Sequence, residues 1–374
     1  MRTRAIIHLD HFFSNFQAIQ ARAGARRICV AVKADAYGHG ALEIAEASLE
    51  AGAFCLAVAT INEGAQLRNG GISAPIMLFS QFHPDEISAF FEIGLIPFVS
   101  DADFINLLNK QAGLNRKKLP VHLKIDSGMG RIGCPAEEAV PLARLISESA
   151  GLELAGVATH FAVSDSTEPR DINYTQIQLA RFKEAVDAIR KAGIDPGIVH
   201  AANSGAIILH PDAWLDMVRP GITIYGYKLA DETCIPGFPY EPLKVEPVME
   251  LKSVVTLIKK VKAGESVSYG RTWIASRDTY AAVLPIGYAD GFPRLASNKW
   301  QVMIGGNMYP LAGRICMDQC LVDIGPQPLV KRWDEAVIFG AAPNDASALA
   351  RVIGTIPYEI TCNINKRVPR IYVR

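Results

Sequence analysis

AVKADAYGHG, residues 31–40, closes a short apolar run, ICVAV (28–32), with one lysine, Lys33, and then breaks into a loop carrying Tyr37, Gly38, His39 and Gly40. Burial at a strand end disfavours the ammonium and frees an amine lone pair, which a Schiff-base nucleophile needs. The same residue also reads as a lysine that snorkels to solvent.

Working outward, apolar runs recur at FCLAVA (54–59), PIMLF (75–79), IPFV (96–99), VHLKI (121–125), LAGVATH (154–160), DPGIVH (195–200) and LDMV (215–218). Segments of helical period such as LEIAEASLEAG (42–52) and PLARLISESAG (141–151) separate them. Strands apolar on both faces, alternating with amphipathic helices, indicate parallel βα units. Eight such runs predict an α/β fold with a closed (β/α)8 TIM barrel over roughly residues 10–230, its chemistry at the C-terminal strand ends. Ahead of it lies an opening strand, residues 5–9, then a helix through Phe12, Phe16 and Ile19 with Asp10 as its N-cap.

The segment DETCIPGFPYEPLKVEP (231–247), with four prolines and no helical period, reads as a linker. The glycine-punctuated strand patterns beyond it predict a C-terminal, mostly β domain with one short helix at DASALARVIG (345–354) and a final strand. The expected division is 1–235 and 236–374, with the first strand able to pair into the second domain.

Composition narrows the function classes. The 374 residues hold 38 basic and 38 acidic side chains. No bulk charge suits a nucleic-acid or membrane partner. The N-terminal apolar run AII is cut short by His8 and Asp10, and no run approaches a membrane span. Seven scattered cysteines suit reduced thiols, so a cytoplasmic protein is expected. Cys316 and Cys320 have no nearby partner to complete a zinc set and read as buried thiols, so no metal site is expected.

Several strand-end residues read two ways. Lys124, Asp126 and Arg131, in LKIDSGMGRIG, form a surface ion-pair loop or hold a planar fork toward a substrate carboxylate. His160 is a structural histidine or a site residue. Ser204, in HAANSGA, is a helix cap or, with neighbouring backbone N–H groups, part of a phosphate site like those after strands seven and eight of such barrels. Arg219, opening RPGITIYG, forms a plain salt bridge or serves the site.

The chain resembles the alanine racemase family, which uses pyridoxal 5'-phosphate (PLP). The resemblance rests on VKADAYGHG, KIDSGMGRIG, VATHFAVSD, HAANSGA, RPGITIYG, VSYGRTW, GYADGFPR and GRICMDQ, and runs from Lys33 to Arg370. It implies that Lys33 holds PLP and is one of two catalytic bases, with Tyr269 the second, supplied by the partner of a homodimer with composite sites. Two bases suit racemisation, because a proton leaves one face of Cα and another arrives on the opposite face. Tyr37, Asn203, Ser204, Gly221 and Ile222 would hold the cofactor, mainly its phosphate. His160 would stack on its ring, and Arg219 would face the pyridine nitrogen, donating a hydrogen bond but no proton.

By the same resemblance Arg131 and Met317 bind substrate, and Lys124 is a candidate for carbamylation. Asp165, Tyr288, Arg294, Arg314, Asp318 and Ile364 would line the entryway. INKRVPR departs from an ISYRVPR-like family segment, so Lys366 is expected where a tyrosine touches the phosphate. The implied reaction is interconversion of L- and D-alanine, for peptidoglycan supply or alanine catabolism. A serine or broader-specificity racemase and a non-catalytic PLP-binding protein are the alternatives. Related decarboxylases share the architecture, but VSYGRTW and RICMD point away from them.

Overall fold

The computed structural model describes residues 2–235 and 237–374. Pro236, first residue of the expected second domain, lies outside the described residues. All eight apolar runs form strands: β2 (Arg27–Ala31), β3 (Cys55–Val58), β4 (Ile76–Leu78), β5 (Leu95–Val99), β6 (Leu119–Lys124), β7 (Leu152–Ala158), β8 (Ile198–His200) and β9 (Met217–Val218). Neighbours pair in parallel in the order β8-β7-β6-β5-β4-β3-β2-β9. The seam between β8 and β9 is held by Asp216, whose N–H donates to Val199 O at 3.1 Å and whose carboxylate accepts from Val199 N–H at 2.8 Å.

Side chains alternate along these strands, as a period of two requires. Cys55, Ala57 and Met77 join an inner cluster with Cys29, Phe98 and Met217, while Leu56, Val58, Ile76 and Leu78 pack in the main core. Each fully buried aliphatic side chain contributes roughly 1.5–3 kcal/mol. Both faces of β3 and β4 are therefore apolar, which explains runs there without polar alternation.

The opening strand, β1 (Arg4–His8), leaves the barrel altogether. It lies between β10 (Met249–Val254), antiparallel with Ala5 opposite Leu251, and β19 (Arg370–Val373), parallel with Ile6 opposite Ile371. These belong to a six-stranded sheet that also holds β15 (Gln301–Ile304), β16 (Asn307–Pro310) and β18 (Glu335–Phe339). A three-stranded sheet of β11 (Leu257–Val261), β14 (Thr279–Leu284) and β17 (Cys320–Gly325) and the pair β12 (Ser266–Val267) and β13 (Trp273–Ile274) complete the β part. The first strand thus ties the start of the chain to its end.

Two expectations at the N-terminus need correction. The strand ends at His8 and helix α1 (Leu9–Ala23) starts at Leu9, so His8 is the N-cap and Asp10 lies in the first turn. There its charge favours the helix dipole, and no side chain caps the end. The C-terminal part also holds a second short helix, Pro357–Cys362, beyond the expected one at Ala346–Ile353. Cys320 is buried, but Cys316 is half-buried, with Sγ 3.4 Å from Ser268 Oγ. Among the described residues no helix is long and apolar enough to cross a membrane.

Candidate active site

After β2 the chain makes a left-handed turn: Ala34, Asp35, Ala36 and Tyr37 have φ of 53°, 55°, 52° and 55°. Such a conformation costs about 1–2 kcal/mol per residue, so the surroundings must impose it. Glu63 Oε1 accepts from Ala34 N–H at 2.7 Å, Asp35 Oδ1 accepts from Ala41 N–H at 2.9 Å, and Arg370 Nε donates to Gly38 O at 3.0 Å. Gly38 itself has φ of 86°, and a Cβ there would stand 2.0 Å from Thr361 O. The turn is braced by the helix after β3 and by the C-terminal segment. Lys33 and Tyr37 consequently both line one cavity of about 450 Å³.

Tyr37 is buried, stacked on Tyr225 with centroids 4.9 Å apart and against Tyr358 at 5.7 Å. Burial raises its phenol pKa far above the usual value. Across the cavity, Asn203 caps the helix Ser204–Leu209, its Oδ1 accepting from Ala206 N–H at 3.1 Å. Ser204 is therefore not the cap. Its Oγ accepts from Gly221 N–H at 2.9 Å and Thr223 N–H at 3.3 Å. A Cβ on Gly221 would lie 2.7 Å from Tyr37 Oη, so the absent side chain leaves a cradle beside two hydroxyls and converging amides. An anion such as a phosphate fits that chemistry. Ile222 is fully buried between the two amide donors and does not line the cavity.

At the cavity floor Arg219 is almost wholly buried and its pKa is lowered to about 10, chiefly by burial, so it stays cationic at neutral pH. Its Nη2 donates to Thr159 O at 2.8 Å and Ala201 O at 2.9 Å, and reaches His160 Nδ1 at 3.4 Å. Its Nη1 donates to His200 Nδ1 at 2.8 Å. Burial, followed by nearby cations, lowers the pKa of His160 and His200 and holds both imidazoles neutral.

The two lysines differ in burial and share a direction. Burial, then the Arg131 charge, lowers Lys33. Lys124, at the end of β6, is lowered well below the usual value by burial, then Arg219, then Arg131. Its Nζ sits 5.5 Å from the Phe98 ring centre. Both amines are thereby moved toward the nucleophilic, neutral form.

The expected site residues separate into two groups. The barrel gathers Lys33, Tyr37, Lys124, Arg131, His160, Asn203, Ser204, Arg219 and Gly221 on one cavity. Asp165 does not line it, but its charge acts on Tyr358, which does. Tyr269, Tyr288 and Met317 are instead exposed on the β part. There a Gly270 Cβ would stand 2.8 Å from Arg314, Tyr288 N–H donates to Cys316 O at 3.0 Å, and Asp318 accepts from Arg367 at 2.6 Å. Arg294 opens a short 3-10 turn on the same part.

The C-terminal expectation requires correction. Lys366 lines a separate cleft with Asp35, Glu43 and Tyr372, and Ile364 is buried in the core. Tyr358, eight residues earlier, reaches the cavity beside Tyr37. Sequence reasoning also passed over Phe79, Phe98, His122 and His200. All four stood in, or closed, quoted strand runs, and their inward position was the available signal.

The family model described as alanine racemase, N-terminal domain matches residues 7–229, and that described as alanine racemase, C-terminal domain matches 248–372. Alanine racemase of Treponema denticola is 50% identical over 99% of this chain and 98% of its own, and that of Treponema pallidum is 45% identical over 99% of each. The solved alanine racemase of Clostridium difficile 630 superposes with a TM-score of 0.92 at 35% identity, covering 100% of this chain and 96% of its own. That of Bacillus anthracis with bound L-Ala-P gives 0.89 at 32%, covering 100% and 95%. With both domain models matched in order and relatives aligned end to end, the chain belongs to the alanine racemase family.

Proposed function

We propose that this chain interconverts L- and D-alanine with PLP held in the barrel cavity, as a homodimer whose partner completes each site. The observation that carries the reading is the placement of Lys33, its amine pKa lowered, across one cavity from the Ser204–Gly221 cradle and above the cationic floor at Arg219. Ser204, Tyr37 and the amides near Gly221 would hold the phosphate, and Tyr358 would add a second phenol. When bound, PLP withdraws electrons from the substrate Cα and makes its hydrogen acidic.

Lys33 holds the cofactor and moves a proton at one face of Cα. Tyr269 does so at the opposite face and comes from the partner subunit. In support, Tyr269 is 68% exposed and does not line the cavity of its own chain, and Met317 and Tyr288 on the same β part are exposed as well, surface available to a two-fold contact. Arg219 keeps its proton and donates hydrogen bonds, which disfavours protonation of a ring nitrogen placed beside it. Arg131 offers its fork to the substrate carboxylate, and Lys124, buried and with its amine pKa lowered, is suited to carbamylation, in which the amine adds CO2 and releases a proton to become an anion facing Arg131. Free cysteines suit a reducing cytoplasm, and the product would serve peptidoglycan or alanine catabolism.

The test is to incubate the PLP-loaded protein with L-alanine or L-serine in deuterated water and follow the D-enantiomer and deuterium at Cα. Rapid D-alanine carrying Cα deuterium, with little D-serine, is expected. Comparable D-serine would replace the alanine reading with a broader racemase. Absence of exchange would leave a non-catalytic PLP-binding protein.

A further inference from the structure

A second constellation stands at the junction of β1 and α1, outside the cavity. One donor atom from each of His8, Asp10 and His11 lies within 4.8 Å of the other two. The two imidazoles stack with centroids 4.7 Å apart and planes 18° from parallel. His11 Nδ1 is 2.9 Å from Pro247 O. A carbonyl only accepts, so Nδ1 carries the hydrogen and the Nε2 lone pair is left available. A carbonyl fixing the tautomer in this way is the usual outer support of a metal-bound histidine.

Two carboxylates from beyond the barrel face the pair. Glu250 Oε2 is 3.5 Å from His8 Nε2, but Lys252 Nζ already holds it at 3.1 Å. Glu246 Oε2 is 3.9 Å from His11 Nε2. Its backbone is pinned from both sides by Asn15, which is buried: Asn15 Nδ2 donates to Glu246 O and Oδ1 accepts from Glu246 N–H, both at 2.8 Å. The backbone of Glu246 is thus fixed beside the histidine pair, with its side chain 65% exposed.

We propose that His8, Asp10 and His11, completed by Glu246, bind a divalent transition metal of the Zn²⁺ class. Two imidazoles with two carboxylates form a mixed nitrogen and oxygen set that suits Zn²⁺ and not the all-oxygen shells of Mg²⁺ or Ca²⁺. Glu250, held by Lys252, supports His8 from outside the shell. The ion would clip the first helix to the segment leading into β10, so its effect is on stability and not on the proton transfers.

The test uses the tag-free, PLP-loaded full chain, stripped with a chelator and titrated with ZnCl2 by calorimetry and thermal unfolding. One equivalent per chain and a raised unfolding midpoint are expected. H8N/H11Q should weaken binding by at least about tenfold, with activity in the absence of metal unchanged. H11Q alone, at a half-exposed helix position, serves if the double variant folds poorly. Wild-type protein that takes up no Zn²⁺, or uptake undiminished in either variant, overturns the site and leaves ordinary histidine–carboxylate pairs.

Discussion

Arg219 Nη1 lies 2.8 Å from His200 Nδ1 on the cavity floor, and the direction of that hydrogen bond fixes the next. A guanidinium only donates, so His200 carries its hydrogen on Nε2 and donates to His122 Nδ1 at 2.8 Å. Burial, then Arg219, holds His122 near 3, so the chain stays neutral beyond the guanidinium. His200→Leu leaves a buried charged donor unpaired, at a cost of about 2–3 kcal/mol. A lower unfolding midpoint and slower turnover are expected. A variant unchanged in both would show that Arg219 is held without it.

The cradle beside Gly221, proposed above to hold the phosphate, predicts a paired rescue. Gly221→Ala would place a methyl 2.7 Å from Tyr37 Oη, and Tyr37 cannot retreat because Tyr225 and Tyr358 flank its ring. PLP affinity should fall at least about tenfold, or ~1.4 kcal/mol. Adding Tyr37→Phe removes the clashing oxygen and should restore part of the loss. A loss in the double variant equal to the sum of the single ones would show that the residues act apart.

Tyr358 and Lys366 make opposite predictions. Tyr358→Phe should weaken PLP retention, read by dialysis and absorbance, because its ring borders the cavity beside Tyr37. Lys366→Ala should leave retention unchanged, since Lys366 lines another cleft. The reverse pattern would restore the reading drawn from INKRVPR.

Acid should destabilise the fold through buried histidines. His39 is fully buried, and burial lowers it from the usual 6.5 to about 4. Below pH 6.5 the unfolded chain binds a proton that the folded chain refuses, so stability present above 6.5 falls as pH drops toward 4. The difference corresponds to about 3 kcal/mol at full effect. Unfolding midpoints should decline from pH 6.5 to 4, less steeply in His39→Gln if that variant folds. A midpoint flat across that window would contradict this state of His39.

The barrel was legible because its strands bury both faces, and runs such as CLAV and IML carry no polar alternation. Lys33, Ser204 and Arg219 were legible because motifs place them at strand ends. The turn that aims Lys33 was not, since alanines and an aspartate at positive φ carry no glycine signal. Tyr358 escaped because its helix is only six residues long and opens on Pro357, too short for a period to show. His122 and His200 stand in runs that are otherwise apolar, and a period of two gives their inward position but not the hydrogen-bond partners they find on other strands. The separation of Tyr269 from Lys33 depends on how distant segments pack, which local spacing does not encode.

Co-expression of Lys33→Ala with Tyr269→Phe tests the two-base composite site most directly. Each variant alone should be inactive. In a two-fold dimer with random pairing, half the molecules are mixed and each mixed dimer holds one intact site, so activity should return to about a quarter of wild type. Mixed protein as inactive as either variant alone would contradict a site shared between subunits.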